Sequence, residues 1–332
     1  MFVFSYKEYC NNRYNILLFK VYNNIIILLR EKEDKIMYKS GYVSIIGETN
    51  AGKSTLLNRI MGEKISIVSP KVQTTRTNIK GIYTDDEKQI IFVDTPGIHK
   101  KNSKLSKLMI ENAIGSIKDA NVIVYVVAAN KKKLSQFDYD ILEKLKKVKT
   151  PIICVLNKVD RVKKELLLEK IQELQTEVEF KSIIPISALT GDGVDIVLNE
   201  ITKLLEEGPK YYPDDIYTDQ TLRQMTEEII RGKALKLLRE EIPHGIYIET
   251  ENFKQKQTKK GQHIYDIEVN IYTRKDTHKG IIIGKNGEML KRIGTYARQD
   301  LEAFLESKVN LKIWVKVRKN WLDNDSIIQK FK

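Results

Sequence analysis

Five short apolar runs punctuate the first part of the chain, at residues 41–46, 90–94, 122–128, 152–156 and 183–186. They are apolar at consecutive rather than alternate positions, the pattern of strands covered on both faces of a parallel sheet. Segments near 103–119, 134–147, 161–179 and 192–206 alternate with them and place their apolar residues at helical spacing. This alternation predicts a doubly wound, mostly parallel α/β sheet. Residues 77–83, a turn at Thr84-Asp85-Asp86-Glu87 and a strand resuming at Gln89 predict a hairpin that adds one antiparallel edge strand.

The pattern changes after residue 207. Gly208-Pro209 stops a helix, and a polar, proline-bearing connector runs over 208–218. Thr218 or Asp219 is then expected to cap a helix reaching about residue 241, followed by strands at 245–253 and 263–273 joined by a lysine-rich turn at 254–261. Two further helices flank Ile283-Gly284-Lys285-Asn286-Gly287, and a last strand covers 309–317. The order α-β-β-α-α-β predicts a separate α+β unit. The expected division is an extension at 1–36, a nucleotide-binding domain at 37–207, the connector, and a second domain at 219–332.

The chemistry sits at the strand ends. Gly47-Glu48-Thr49-Asn50-Ala51-Gly52-Lys53-Ser54 fits G-x-x-x-x-G-K-[ST] between a strand and a helix beginning near Thr55. Such a loop aims backbone N–H groups at phosphate oxygens at a helix N-terminus. Lys53 is expected on the β- and γ-phosphates and Ser54 on Mg²⁺. Asp94, ending the second apolar run, is placed to hold the metal's hydration shell, and the Gly97 N–H to sense a γ-phosphate. Asn157-Lys158-Val159-Asp160 follows the fourth run. The Asp160 carboxylate can accept from N1–H and N2–H of guanine, a donor pair that adenine lacks. Ser187-Ala188-Leu189 supplies backbone for the guanine O6.

Between the phosphate loop and Asp94, a threonine can close on Mg²⁺ and the γ-phosphate in the triphosphate state alone. Thr75 is favoured, with Thr74 the alternative. Phosphate, RNA and water are all open as partners for Arg76, which is not assigned as a catalytic finger. The position after Asp-x-x-Gly that carries a water-orienting Gln in some GTPases is Ile98, followed by His99. Slow intrinsic hydrolysis is therefore expected, stimulated by a partner or a monovalent cation. Asn50 is the residue expected to serve potassium.

In the second unit, a Gly-x-x-Gly turn lets a nucleic-acid backbone approach while neighbouring apolar side chains form a groove for bases. Lys291 and Arg292 follow on the next helix, and residues 279–319 hold ten Lys/Arg against four Asp/Glu. Motif, element order and charge predict a KH-type RNA-binding domain. Lys312 and Lys316, alternating on the last strand, also fit a plain solvated face. The whole chain of 332 residues carries a formal charge of +13, which suits a polyanionic partner. Cys10 and Cys154 are too scattered for a disulfide framework and fit a reducing cytoplasm. The four histidines lack metal-ligand spacing.

Taken together, a P-loop, Gln73-Thr74-Thr75-Arg76, Asp94-Thr95-Pro96-Gly97-Ile98-His99, Asn157-Lys158-Val159-Asp160 and Ser187-Ala188, followed by the KH-type unit, resemble the Era family of bacterial GTPases over about residues 37 to 332. The resemblance implies a P-loop G domain with a type II KH domain, GTP and Mg²⁺ as ligands, and slow GTP hydrolysis coupled to RNA binding. It further implies binding of the 3′ end of 16S rRNA, assistance to 30S subunit assembly, potassium activation at Asn50 and peripheral association with the cytoplasmic membrane. A monomer is expected. Glu48-Thr49 departs from the Arg-Pro often found in relatives. A tRNA-modifying GTPase and a membrane-linked signalling GTPase are the competing readings. The longest apolar run of residues 1–36, at 25–29, is far short of the roughly 20 residues of a spanning helix. Translation is expected to begin at Met37, because Lys32-Glu33-Asp34 can be encoded by a purine-rich ribosome-binding sequence.

Overall fold

The computed structural model describes residues 38–331 except 64, 67–74, 97–102, 132 and 258–260. The readings made for residues 1–37, and for Thr74, Gly97, Ile98 and His99, therefore fall outside the described residues.

Six strands form the first sheet: β1 (Lys39–Ile46), β2 (Ile79–Thr84), β3 (Lys88–Asp94), β4 (Val122–Ala128), β5 (Ile152–Asn157) and β6 (Ser182–Ile186). Their order is β2-β3-β1-β4-β5-β6. Only β2 runs antiparallel, as the hairpin at Thr84 requires. Parallel register sets Ile45 beside Asp94 and Ala128 beside Asn157, so the motif residues gather at the same sheet edge. This is the crevice outside the carboxyl ends of the strands where such sheets bind ligands.

Both faces are buried, which explains the unbroken apolar runs. On one face α1 (Lys53–Met61) and α5 (Val194–Leu204) cover Val43, Ile45, Phe92 and Val124 through Leu56, Leu57, Val197 and Ile201. On the other, α3 (Gln136–Leu145) and α4 (Lys164–Glu177) cover Tyr125, Cys154 and Leu156 through Leu142 and Leu174. Ser135 and Asp138 form a reciprocal capping box at the start of α3. Cys154 is buried, and burial pushes its thiol up, so it is a packing residue.

The second sheet has the order β7-β8-β9, from β7 (Tyr247–Gln257), β8 (His263–Thr273) and β9 (Lys308–Val317). The hairpin β7–β8 is antiparallel and β9 joins β8 in parallel. Helices α6 (Leu222–Leu237), α7 (Asp276–Ile283) and α8 (Glu288–Phe304) share its core, with Ile230, Ala234, Ile267, Ile282, Ile293 and Leu301 almost wholly buried. This is the KH arrangement expected from the element order. The cap of α6 differs: it is Thr221, in a capping box with Gln224. Thr218 and Asp219 are engaged elsewhere, Thr218 bridging to Gly81 and Asp219 pairing with Lys80 at 2.9 Å.

The connector is held to the first sheet. Buried Gln89 accepts from Tyr211 N and Tyr212 N at 2.7 and 2.9 Å and donates to the Tyr212 carbonyl at 2.8 Å. Ile82 N donates to Tyr217 O at 2.9 Å. A separate apolar cluster joins the halves: Leu105 and Met109 of α2 (Lys104–Lys118) pack with Tyr247, Trp321 and Ile327. Lys104 adds an ion pair to Asp325 at 2.8 Å, and Asn112 donates to Phe331 O at 3.1 Å. Asp325 opens the short last helix α9 (Asp325–Ile328). No helix among the described residues is long and apolar enough to cross a membrane.

Candidate functional site

The phosphate loop closes between β1 and α1 because Gly52 is left-handed there, with φ 104°. A β-carbon on it would lie 2.0 Å from Asn157 Nδ2, so the loop and the Asn157 segment approach as closely as a glycine allows. Asn157 is 2 % exposed and spends its amide inside the protein. It donates to Ala51 O at 2.8 Å and accepts from Ala188 N at 2.9 Å and Lys158 N at 2.8 Å. It braces three loops at once. Lys158 itself reaches back to donate to the Asn50 carbonyl. The backbone oxygen offered to potassium by the sequence is thus already facing an ammonium group.

Lys53, at the start of α1, donates to the carbonyls of Gly47 and Glu48 at 3.0 and 3.1 Å. Burial pulls its ammonium down to about 8, with Asp94 opposing the shift. Asp94 is pushed up by the same burial, against Lys53 and the hydroxyls of Ser54, Ser66 and Thr75. Its Oδ2 accepts from Ser54 Oγ at 2.7 Å, Ser66 Oγ at 2.9 Å and Thr75 Oγ1 at 3.4 Å, and the Ser54 and Thr75 hydroxyls are 3.1 Å apart. Its Oδ1 is buried with no hydrogen-bond partner among the described residues. A carboxylate with one orphaned oxygen, and hydroxyls gathered on its other oxygen, form a hard-oxygen donor set of the kind Mg²⁺ takes, so these residues fit that ion. Thr55 lies in the first turn of α1.

The base side is equally assembled. Asp160 Oδ1 accepts from Ser187 Oγ at 2.7 Å, and Arg161 Nε lies 3.5 Å from Oδ2, which together aim the carboxylate. Arg59 of α1 donates to the carbonyls of Ala188 and Leu189, tying the base loop to the phosphate helix. Ala188 N–H already serves Asn157, so a contact from it to a purine O6 shares that hydrogen. Sequence reasoning missed Ser66, Arg59 and Lys131. Ser66 is delivered by Asn58, whose Oδ1 accepts from Ile65 N and Ser66 N. Lys131 pairs with Glu48, the loop residue that departs from Arg.

Arg76 meets none of the three partners left open for it. It is 3 % exposed and points into the KH half, donating through Nη1 to Ile246 O at 2.6 Å and through Nη2 to His244 O at 2.9 Å.

In that half, Gly284 and Gly287 have φ of 76° and 77° and bracket Lys285 and Asn286, both exposed. Ile283 ends α7, half-buried against the core. An open groove of about 400 Å³ runs from Gly287 along α8 to β9, between Leu290, Lys291, Arg298, Leu311 and Ile313. Lys285, Lys291 and Arg292 are exposed at its Gly-x-x-Gly end and along α8. Lys312 and Lys316 alternate with the groove-facing positions of β9 and pair with Glu268 and Glu251, each at 3.2 Å. They form the solvated face, away from the groove.

Comparison with known proteins matches residues 42–158 to the family described as 50S ribosome-binding GTPase and residues 241–322 to the KH domain. The chain is 50 % identical over 293 residues to GTPase Era of Caldanaerobacter subterraneus subsp. tengcongensis, covering 88 % of this chain and 97 % of that protein. It is 49 % identical over 296 residues to GTPase Era of Clostridioides difficile, covering 89 % and 98 %. A crystal structure of Era with MgGDPNP and nucleotides 1506–1542 of 16S ribosomal RNA superposes with a TM-score of 0.83 at 39 % identity, covering 89 % of this chain and 98 % of that one. An Aquifex aeolicus Era variant bound to GDP and tetrafluoroaluminate gives the same score and identity, covering 88 % and 98 %.

Proposed function

This chain belongs to the Era family of GTPases, and on that premise we propose that it binds the 3′ region of 16S rRNA and assists assembly of the 30S subunit, with its nucleotide state coupled to RNA affinity. The observation that carries the reading is the pairing, in one polypeptide, of a carboxylate aimed by Ser187 for guanine with a Gly-x-x-Gly turn opening onto a basic groove. GTP and Mg²⁺ are its ligands. Gly47, Asn50, Gly52, Lys53, Ser54 and Thr55 hold the phosphates. Asp160, with Lys158 and the backbone of 187–189, holds the base, and Asn157 braces the two sites. Ser54, Asp94 and Thr75 serve the metal, which supplies positive charge to the phosphate oxygens when bound. Gly97 is assigned to the γ-phosphate from sequence alone.

Within this reading the catalytic work of the chain is positioning and electrostatics. Lys53 carries the fixed positive charge, Asp94 orients the hydroxyls, and burial of both strengthens each interaction. Ile283, Gly284, Lys285, Asn286, Gly287, Lys291 and Arg292 carry the RNA backbone. The nucleotide-binding half is assigned to 37–207, the connector to 208–218 and the RNA-binding half to 219–332, supported by their separate apolar clusters.

Potassium at Asn50 is part of the same reading and has to share the oxygen that Lys158 now faces. Hydrolysis in potassium and sodium buffers tests it with wild type and Asn50→Ala, and equal rates throughout reject it. The family resemblance and the charge of +13 support a monomeric cytoplasmic protein with peripheral membrane contact. Flotation with anionic vesicles and light scattering check those two points.

The main test is crosslinking of the full chain to total RNA with GDP or a GTP analogue. Enrichment of the 16S 3′ end, greater with the analogue, is expected. Enrichment of tRNA, or equal capture in both states, overturns the corresponding part.

A further inference from the structure

Arg76 is a buried cation of the nucleotide-binding half that the reading above leaves unused. A guanidinium leaves water at little penalty only where its flat fork finds matched acceptors. Here its Nη1 and Nη2 find the main-chain carbonyls of Ile246 and His244, on the short 3₁₀ turn Ile242–Gly245 and the residue after it, while Nε is buried with no hydrogen-bond partner among the described residues. The carbonyl between them, that of Gly245, accepts from Trp321 Nε1 at 3.0 Å. The Trp321 ring, wholly buried, lies 5.4 Å from the guanidinium carbon. Two carbonyls and an indole of the RNA-binding half thus close on one side chain of the nucleotide-binding half, and the carbonyl between the two fixes the indole.

The preceding residue is Thr75, 4 % exposed, with its hydroxyl 3.1 Å from Ser54 and 3.4 Å from Asp94. Adjacent α-carbons are about 3.8 Å apart, so fixing Arg76 fixes the backbone that presents the Thr75 hydroxyl.

We propose that Arg76 is a positioning residue for GTP hydrolysis, gripped by the RNA-binding half so that Thr75 is held toward the metal position beside Ser54 and Asp94. This rests on the assignment of Thr75 to the metal made above and adds the grip that orders it. The RNA-binding half then acts on hydrolysis through this side chain, and the diphosphate state, which does not call on Thr75, is spared.

The test uses the full chain as wild type, Arg76→Ala, Arg76→Lys and Trp321→Phe. Hydrolysis, equilibrium binding of GDP and of a non-hydrolysable GTP analogue, and the Mg²⁺ needed for half-saturation with the analogue are measured. Arg76→Ala is expected to lower kcat about tenfold or more, since small misplacements distant from the chemistry reach about 100-fold. It also raises the Mg²⁺ requirement and leaves GDP affinity within about twofold of wild type, far below that loss in kcat. Arg76→Lys, which reaches one carbonyl, and Trp321→Phe, which keeps an aromatic face but frees Gly245 O, fall between. They carry the test if Arg76→Ala fails to fold. Unchanged kcat and Mg²⁺ requirement, or parallel loss of GDP and analogue binding, overturns the grip. A wild type that hydrolyses no GTP overturns the functional reading instead.

Discussion

Lys53 and Asp94 are driven toward their neutral forms by the same burial, so phosphate and metal ion together restore both charges. This has a sign. With its ammonium pulled down to about 8, Lys53 loses its proton above that pH in the nucleotide-free chain. Phosphates favour the ammonium, so the complex holds more protons and affinity falls as pH rises. GTP affinity is expected to drop about tenfold between pH 7 and 9. Lys53→Arg, which stays charged, should flatten the profile, and calorimetry that finds wild-type affinity constant across that range rejects the account. Glu48 gives a second residue-scale prediction. Its carboxylate sits in the phosphate loop, compensated by partly exposed Lys131. Lys131→Ala should weaken GTP by about two- to fivefold, the range of a partly exposed ion pair, and GDP by less, because the extra phosphate adds repulsion. Equal losses for both nucleotides count against it. The residues of Gly-x-x-x-x-Gly-Lys-Ser and Asn-Lys-Val-Asp were legible because each chemistry lies in consecutive residues. Ser66 and Lys131 were not, since only folding brings them to Asp94 and Glu48.

At the scale of elements, the two Gly-x-x-Gly glycines are not equivalent. A β-carbon on Gly284 would meet Met289 Cβ at 2.8 Å and Met289 N at 2.9 Å, whereas on Gly287 it meets nothing within 4 Å. Gly284→Asp therefore disturbs the α7–α8 turn itself. Gly287→Asp adds charge in open space at a positive φ, costing about 1 kcal/mol of stability. RNA affinity should fall for both variants while GDP binding holds, but the melting temperature of the KH half should drop further for Gly284→Asp. Calorimetric scans showing equal melting would contradict the packing argument. Strand and helix order was readable because each apolar pattern matched its own period. The cap of α6 was misread because Thr218 and Asp219 looked like caps locally, while Gly81 and Lys80 recruit them.

For the whole molecule, each half was legible because its motifs are contiguous, whereas their junction was not. Leu105 and Met109 read as ordinary core positions of an amphipathic helix, yet they pack with Tyr247 and Trp321 from the far end of the chain. Arg76 was open to three partners because none of its real acceptors carries a side-chain signature. Backbone carbonyls are invisible in a sequence pattern.

The docking of 208–218 reaches beyond the joining of two halves. β2 is the outermost strand of its sheet, and its free side meets Tyr217 and Thr218 through Ile82 and Gly81. The segment works as a selvedge: it finishes a border whose bare amides invite pairing with a second molecule. A fragment ending at Glu207 should self-associate in sedimentation, while one ending at Thr221 should remain single. Identical sedimentation of the two fragments would show that the border needs no such cover.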